Sequence, residues 1–420
     1  MDSTILSKAN VATIIAVIFL ILTFGGCKKE EQKPSANKTL ISFEKVSTLS
    51  AQSIQTNLSL FKLLYPQTAE IPTNSTVDVD IYIIKYKTIF REIEIEVSGV
   101  GCIPRANSSL PILSFQNGTN ASINEAPSLN TNSQEFALLQ NSAGLGYIVL
   151  IPDYLGFGAS KHILHPYYHR ESNNAVIIDL VKACLEMLND ESIKCKSNGD
   201  LYLMGYSQGG WATLSAFKAL EENNTLNMNL IGASCGAGAY NLMEVASHIL
   251  KGNYYRSPSY LPYFIESHRR NGLLDISLDQ FFNEPYRSRI PGLFDGLHTT
   301  GQINDQLNDS VAQFFTRNVI DNFETGTEYE PIRDELKINS VVAWKPNGQL
   351  LFVHGKKDMD VPVFESENMV QEILKLEADS AKIELHLLDN LSHAQAITPW
   401  SIQTLIWLTK LNALEKNRAH

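Results

Sequence analysis

Beyond about residue 76 the chain alternates short apolar runs with amphipathic stretches, and the two periodicities predict different elements. Residues 77–87 and 92–97 alternate or carry β-branched side chains, which predicts two extended segments joined by a short polar turn. Short apolar runs at 111–115 and 147–151 end in turn residues, Gln116-Asn117-Gly118 after the first and Pro152-Asp153-Tyr154-Leu155-Gly156-Phe157-Gly158 after the second. A helix is predicted over 173–188, because Ile177, Leu180, Val181, Cys184 and Met187 share one face at helical spacing. A strand at 201–204, a helix at 209–220 and a strand at 230–234 follow. Near the C-terminus a strand at 350–353, a helix at 363–376, a strand at 383–388 and a helix at 397–411 resume the alternation. Short apolar strands separated by helices predict an α/β fold whose mostly parallel central sheet carries helices on both faces.

The alternation stops between residues 234 and 350. A break of about 110 residues inside a compact domain is usually functional or a small domain of its own. Helical runs at 240–250, 261–269 and 310–322, with the aromatic cluster Tyr254, Tyr255, Tyr260, Tyr263 and Phe264, predict a helical cap inserted before the next strand. The expected division is therefore 41–236 for the first part of the core, 237–346 for the cap and 347–420 for the second part of the core.

The N-terminus predicts a compartment. Lys8 precedes an uncharged apolar run from residue 11 to residue 24, which ends in Gly25-Gly26-Cys27. This run is shorter than the roughly 20 residues of a spanning helix and ends in small residues, as a cleavable signal does. Small residues directly before a cysteine resemble the lipobox of bacterial lipoproteins, although Phe24 stands where leucine is usual. The resemblance implies a signal at 1–26 and a lipidated Cys27; an uncleaved anchor is the competing reading. Residues 27–40, charged and without aromatics before residue 40, read as a flexible tether. Its basic-then-acidic start also resembles the export signal of surface-exposed lipoproteins, so the expected place is the cell envelope, at the outer membrane. Cys102, Cys184, Cys195 and Cys235 remain; buried free thiols are favoured over a local bridge between Cys184 and Cys195.

Composition narrows the classes. With 420 residues, 44% hydrophobic, 34 Lys+Arg against 45 Asp+Glu and a net charge of −11, the chain is folded and acidic. That charge argues against a nucleic-acid partner and against electrostatic docking on anionic membranes, which leaves the N-terminal lipid as the membrane attachment. At about 150 residues per domain the length suggests two or three domains, but signal, tether and one capped core account for all of it. No dinucleotide fingerprint or phosphate loop is apparent, so no cofactor is expected. His162, His165 and His169 lack the carboxylate or cysteine spacing of a metal site and read as loop or cap packing, so no metal is expected.

Chemistry centres on Gly205-Tyr206-Ser207-Gln208-Gly209, which follows a predicted strand and opens a predicted helix. A G-x-S-x-G turn in that context is a nucleophile elbow: it exposes the serine and sets the next backbone N–H beside it. A serine needs a base, and the elbow's usual chain order is serine, acid, histidine. Asp358, three residues after Gly355 and four before Pro362, is the preferred acid, with Asp360 competing; His393 follows the strand at 383–388. For the oxyanion, Gln208 N–H is one donor, and the loop after the run at 111–115 supplies the other, Thr119 before Gly118.

Ile151-Pro152-Asp153-Tyr154-Leu155-Gly156-Phe157-Gly158, the Gly205–Gly210 elbow, Asp358 and His393 together resemble the α/β-hydrolase superfamily. Within it, Gly-Tyr-Ser-Gln-Gly-Gly, the Pro-Asp-Tyr loop and the large cap resemble the secretory lipase family. That likeness implies hydrolysis of a small-molecule ester or lipid without fixing chain length. Two rivals stand beside it: a serine peptidase of prolyl-oligopeptidase type, which uses the same triad but needs a propeller for which the N-terminal region is too short, and a non-catalytic surface binding lipoprotein.

Overall fold

The structure, a computed structural model, describes residues 38–71 and 76–418. The expected signal at 1–26, the lipidation site Cys27 and the tether up to residue 37 lie outside the described residues. Residues from Thr39 onward form one compact unit.

Nine strands build one sheet: β1 (Leu40–Leu49), β2 (Val79–Phe90), β3 (Ile93–Pro104), β4 (Ser109–Gln116), β5 (Ile148–Pro152), β6 (Lys196–Tyr206), β7 (Asn229–Gly236), β8 (Gln349–Gly355) and β9 (Ile383–Leu388). Their order is β1-β2-β3-β5-β4-β6-β7-β8-β9. β1, β2 and β3 pair antiparallel, as does β3 with β5; from β5 to β9 every pairing is parallel. The helices are α1 (Ala51–Leu64), α2 (Gln134–Gly144), α3 (Arg170–Met187), α4 (Gln208–Glu222), α5 (Leu242–Lys251), α6 (Tyr260–Arg270), α7 (Glu330–Asn339), α8 (Phe364–Lys375) and α9 (His393–Arg418), with short helical turns between α6 and α7.

Alternation along the central strands feeds two cores. Ile112, Leu201 and Leu203 point into one with Leu180, Trp211 and Phe217 of α3 and α4. Leu113, Tyr202 and Met204 point into the other with Ile54 and Leu58 of α1, Leu139 of α2, and Trp400 and Leu408 of α9. Period-2 side chains therefore bury both faces of the sheet, which is why these strands read as near-continuous apolar runs. α4 is buried along almost its whole first two-thirds, so it lacks the polar stripe of a surface helix.

Several elements depart from the sequence expectation: α1 and α2 were not anticipated at all, β6 starts at Lys196 rather than at residue 201, and three more differ as follows. β1 begins at Leu40, at the end of the stretch read as tether, and its half-exposed pattern with Glu44 and Lys45 hid the strand. Pairing with β2 secures it, and the Glu186 carboxylate accepts from the amides of Thr39 and Leu40 at 3.0 and 2.9 Å. α9 starts at His393 itself, four residues earlier than its apolar pattern suggests. β3 runs on to Pro104, past the predicted residue 97.

Between β7 and β8 the chain holds helices and connecting segments and adds no strand to the sheet. Cys102, Cys184, Cys195 and Cys235 are buried free thiols, and burial pushes the Cys102 thiol up to about 12. Among the described residues no helix is long and apolar enough to cross a membrane. The parallel strands β4, β6 and β8 end on the same edge of the sheet, where open α/β sheets present their ligand crevices.

Candidate active site

Ser207 sits between the last residue of β6 and the first of α4, at φ +60° and ψ −123°. A non-glycine residue there is strained, and the surroundings hold it: its N–H donates to Gly236 O at 2.8 Å, and its O accepts from Gly210 N at 2.9 Å. The flanking glycines are required by space. A Cβ on Gly205 would lie 2.3 Å from Gly209 O, and one on Gly209 would lie 2.0 Å from Gln116 O at the end of β4. Gly209 thus lets β4 bring the following loop against the elbow.

His393 reaches Ser207 from the start of α9, with Nε2 at 2.8 Å from Oγ. Its Nδ1 lies 2.5 Å from Asp358 Oδ2. Two other contacts fix the histidine's setting. Tyr206 OH donates to His393 O at 2.7 Å, and Lys357 N donates to Leu391 O at 3.0 Å, which joins the acid loop to the histidine loop.

The Asp358 side chain is fully buried and ringed by donors. Oδ1 accepts from the amides of Asp360 and Val361, each at 2.9 Å. Oδ2 accepts from His393 and faces His354 Nε2 at 3.2 Å. Burial alone would raise its pKa; hydrogen bonds from His354 and His393 and their positive potential outweigh it and hold the carboxyl well below the usual range. Asp360 points elsewhere: it accepts from Ser257 Oγ at 2.5 Å and pairs with Arg256 Nε at 3.3 Å. Of the two competing acids, Asp358 is the one brought to His393.

His354 escaped the sequence reading. It is the next-to-last residue of the buried strand β8, with Nδ1 at 2.8 Å from Ser366 Oγ and Nε2 at 3.0 Å from Val361 O, and a histidine within such an apolar run was the available signal. His165 was read as packing and is more than that. Its Nδ1 donates to Leu155 O at 2.7 Å, which leaves Nε2 to accept from the Gln208 side chain at 2.9 Å. Burial pushes His165 down to about 4, so it stays a neutral acceptor. His162 and His169 lie apart from Ser207; His169 caps α3 through Ser172. Among the described residues no group of histidine, cysteine and carboxylate side chains could hold a metal ion.

Ser207, His393, Gly118 and Thr119 line one cleft of about 250 Å³, closed by Leu138, Leu139, Ile397 and Trp400 and bordered by Tyr260 of α6. An added Cβ on Gly118 would stand 4.0 Å from the Ser207 Cβ, so the loop after β4 runs beside Ser207. Among the described residues, no protein acceptor takes the amides of Gln208, Gly118 or Thr119. A second, smaller cavity of about 60 Å³ is lined by Leu242, Val245, Ile249, Leu261 and Phe264, and Tyr260 borders it as well.

Residues 125–257 match the family model described as secretory lipase, a segment that includes His165, Ser207 and Gln208. No curated protein matches. Among solved structures, a candidate hydrolase from Legionella pneumophila is 26% identical, with a TM-score of 0.76 over 89% of this chain and 98% of its own. The rice cell wall degrading esterase LipA from Xanthomonas oryzae is 21% identical, with a TM-score of 0.74 over 92% of this chain and 98% of its own. Candida antarctica lipase A in its closed state is 15% identical, with a TM-score of 0.60 over 85% of this chain and 78% of its own. Sheet order, elbow and these likenesses agree: the chain has the α/β-hydrolase fold and is similar, across the segment bearing its elbow, to the secretory lipases.

Proposed function

We propose that the chain hydrolyses carboxylic esters by two-step acyl transfer through Ser207, His393 and Asp358. The observation that carries this reading is the unbroken hydrogen-bond line from the Asp358 carboxylate through both nitrogens of His393 to Ser207 Oγ. With its Nδ1–H given to Asp358, the imidazole presents Nε2 as the acceptor of the serine proton. Ser207 Oγ bonds to the ester carbonyl carbon as that proton passes to His393, and the resulting imidazolium is stabilised by the carboxylate. The oxyanion takes the Gln208 amide and one of the Thr119 and Gly118 amides, Thr119 first. On collapse His393 protonates the departing alcohol. Water, deprotonated by the same histidine, then releases the acid.

The apolar walls of the cleft and the adjoining apolar cavity favour an ester with a hydrophobic acyl or alcohol part. The helices between β7 and β8 act as the cap over this space. A lipidated Cys27 would hold the enzyme in the cell envelope, clear of the lipid on its tether. Parallel assays on p-nitrophenyl esters and on aminoacyl-proline amides test the reading. Ester turnover that disappears in Ser207→Ala supports it; selective amide turnover would favour the peptidase, and no turnover of either would favour the binding protein. Equal or better turnover of short, water-soluble esters than of long ones would defeat the substrate statement.

A further inference from the structure

The loop after β4 is the one on which the second oxyanion donor depends, and three tyrosine hydroxyls tie it down. Tyr154 OH donates to Asn117 O at 3.0 Å. Tyr167 OH and Thr119 Oγ1 share a hydrogen bond of 2.8 Å. Tyr263 OH donates to Asn120 O at 3.1 Å. Residues 117, 119 and 120 are thus each anchored, and the amides of Gly118 and Thr119 lie between the anchors. Asn117 O shares its peptide plane with Gly118 N, so the Tyr154 bond fixes that amide directly, while the Tyr167 and Tyr263 bonds hold the chain at 119 and 120 in place.

Two of the three anchors are set by the helical insertion. Tyr263 belongs to α6. Tyr167 precedes α3, but α6 grips its backbone: Tyr167 N donates to Ser267 Oγ at 3.2 Å, and His268 Nε2 donates to Tyr167 O at 2.9 Å. The rings of Tyr167 and Tyr263 stack at 4.5 Å with 9° between their planes, and Phe294 stacks on the far side of Tyr263 at 4.9 Å. All three tyrosines are buried, so their hydroxyls have lost water and hold these partners firmly.

The geometry points to α6 as the buttress of the oxyanion loop, with Tyr263 and Tyr167 as positioning residues through which the insertion sets the rate of acyl transfer. This rests on the ester-hydrolase reading above. The insertion therefore does more than cover the cleft: seating α6 presets the donors that meet the developing negative charge, and displacing it would let Gly118 and Thr119 drift. The role falls on the transition state, because a ground-state carbonyl makes weaker use of those amides.

The test replaces Tyr263→Phe and Tyr167→Phe in the full chain, with Tyr286→Phe as a control tyrosine of the insertion whose hydroxyl accepts from Asn308 and does not touch the loop. Rates are taken per competent site by fluorophosphonate titration, so misfolded protein does not count. Each loop variant is expected to lose about three- to tenfold in kcat with KM nearly unchanged, the size of one buried hydrogen bond. Inhibition by an alkyl boronic acid, whose tetrahedral adduct needs the same amides, should weaken by the same factor, while the control matches wild type. Wild-type kcat per site and wild-type boronate affinity in both loop variants would overturn the proposal, as would an equal loss in Tyr286→Phe. A wild-type protein without ester turnover would instead overturn the ester-hydrolase reading, and that result is seen before any tyrosine is changed.

Discussion

Replacing Asp358 with Asn keeps the side chain's shape and removes its charge. Four donors converge on the native carboxylate: His393 Nδ1, His354 Nε2 and the amides of Asp360 and Val361. An amide offers one oxygen and one NH₂. With its oxygen turned to the two backbone amides, the NH₂ faces His393 and forces the proton onto Nε2. That nitrogen then cannot accept from Ser207, and the imidazolium loses its counter-charge. Loss of tautomer and of charge together should lower kcat about 10⁴-fold, near 5 kcal/mol. Asp360→Asn removes the ion pair with Arg256, leaves an amide oxygen to accept from Ser257, and should leave kcat within about fivefold of wild type. The assay is kcat and KM on p-nitrophenyl butyrate, with thermal unfolding to establish that both variants fold. An Asp358→Asn enzyme within tenfold of wild type, or an Asp360→Asn enzyme as inactive as Asp358→Asn, would refute the assignment of the acid.

Two further perturbations reach other parts of the molecule. Tyr260 borders both the Ser207 cleft and the small apolar cavity, so Tyr260→Ala should join them and move the preferred p-nitrophenyl ester to a longer acyl chain; an unchanged chain-length profile would count against an acyl role for that cavity. Glu365 is buried with Oε1 unpartnered, and burial, helped by nearby Glu244 and Glu372, pushes its carboxyl up to about 8. A folded-state pKa raised above the ordinary 4.5 means the folded protein holds a proton that the unfolded chain has already released. Stability from this group is complete below about pH 4.5 and is lost as pH rises through about 8. Glu365→Gln should therefore unfold at higher temperature than wild type at pH 9, by about 2–4 °C or more, and show no such gain at pH 5. An identical pH dependence of unfolding in the two proteins would contradict it.

How much could be read in advance followed from how local each signal was. Strands with alternate residues in two cores, and a glycine-flanked serine between strand and helix, are written in neighbouring residues, and the sheet and the elbow were legible for that reason. β1 was not, because an edge strand with one face in water carries a mixed pattern and owes its existence to β2. The start of α9 was also hidden: His393 to Ile397 contribute few core side chains, and the apolar pattern strengthens only from Trp400. Order along the chain and spacing from Gly355 pointed to Asp358 over Asp360; of the two, Asp358 is hydrogen-bonded to His393, and Asp360 meets Ser257 and Arg256. Contacts that join distant residues left no local trace. His165 meets Gln208 across 43 positions and Tyr263 meets Asn120 across 143, and nothing in the sequence near either end announces the pairing.

The central claim is that Ser207 is a nucleophile activated within this fold. Treating the protein with an alkyl fluorophosphonate and measuring its intact mass, with peptide mapping of the product, tests it most directly. One adduct per chain on Ser207, absent from Ser207→Ala and slowed in Asp358→Asn, is the predicted result. An unlabelled, folded wild-type chain, or an adduct that persists in Ser207→Ala, would contradict it.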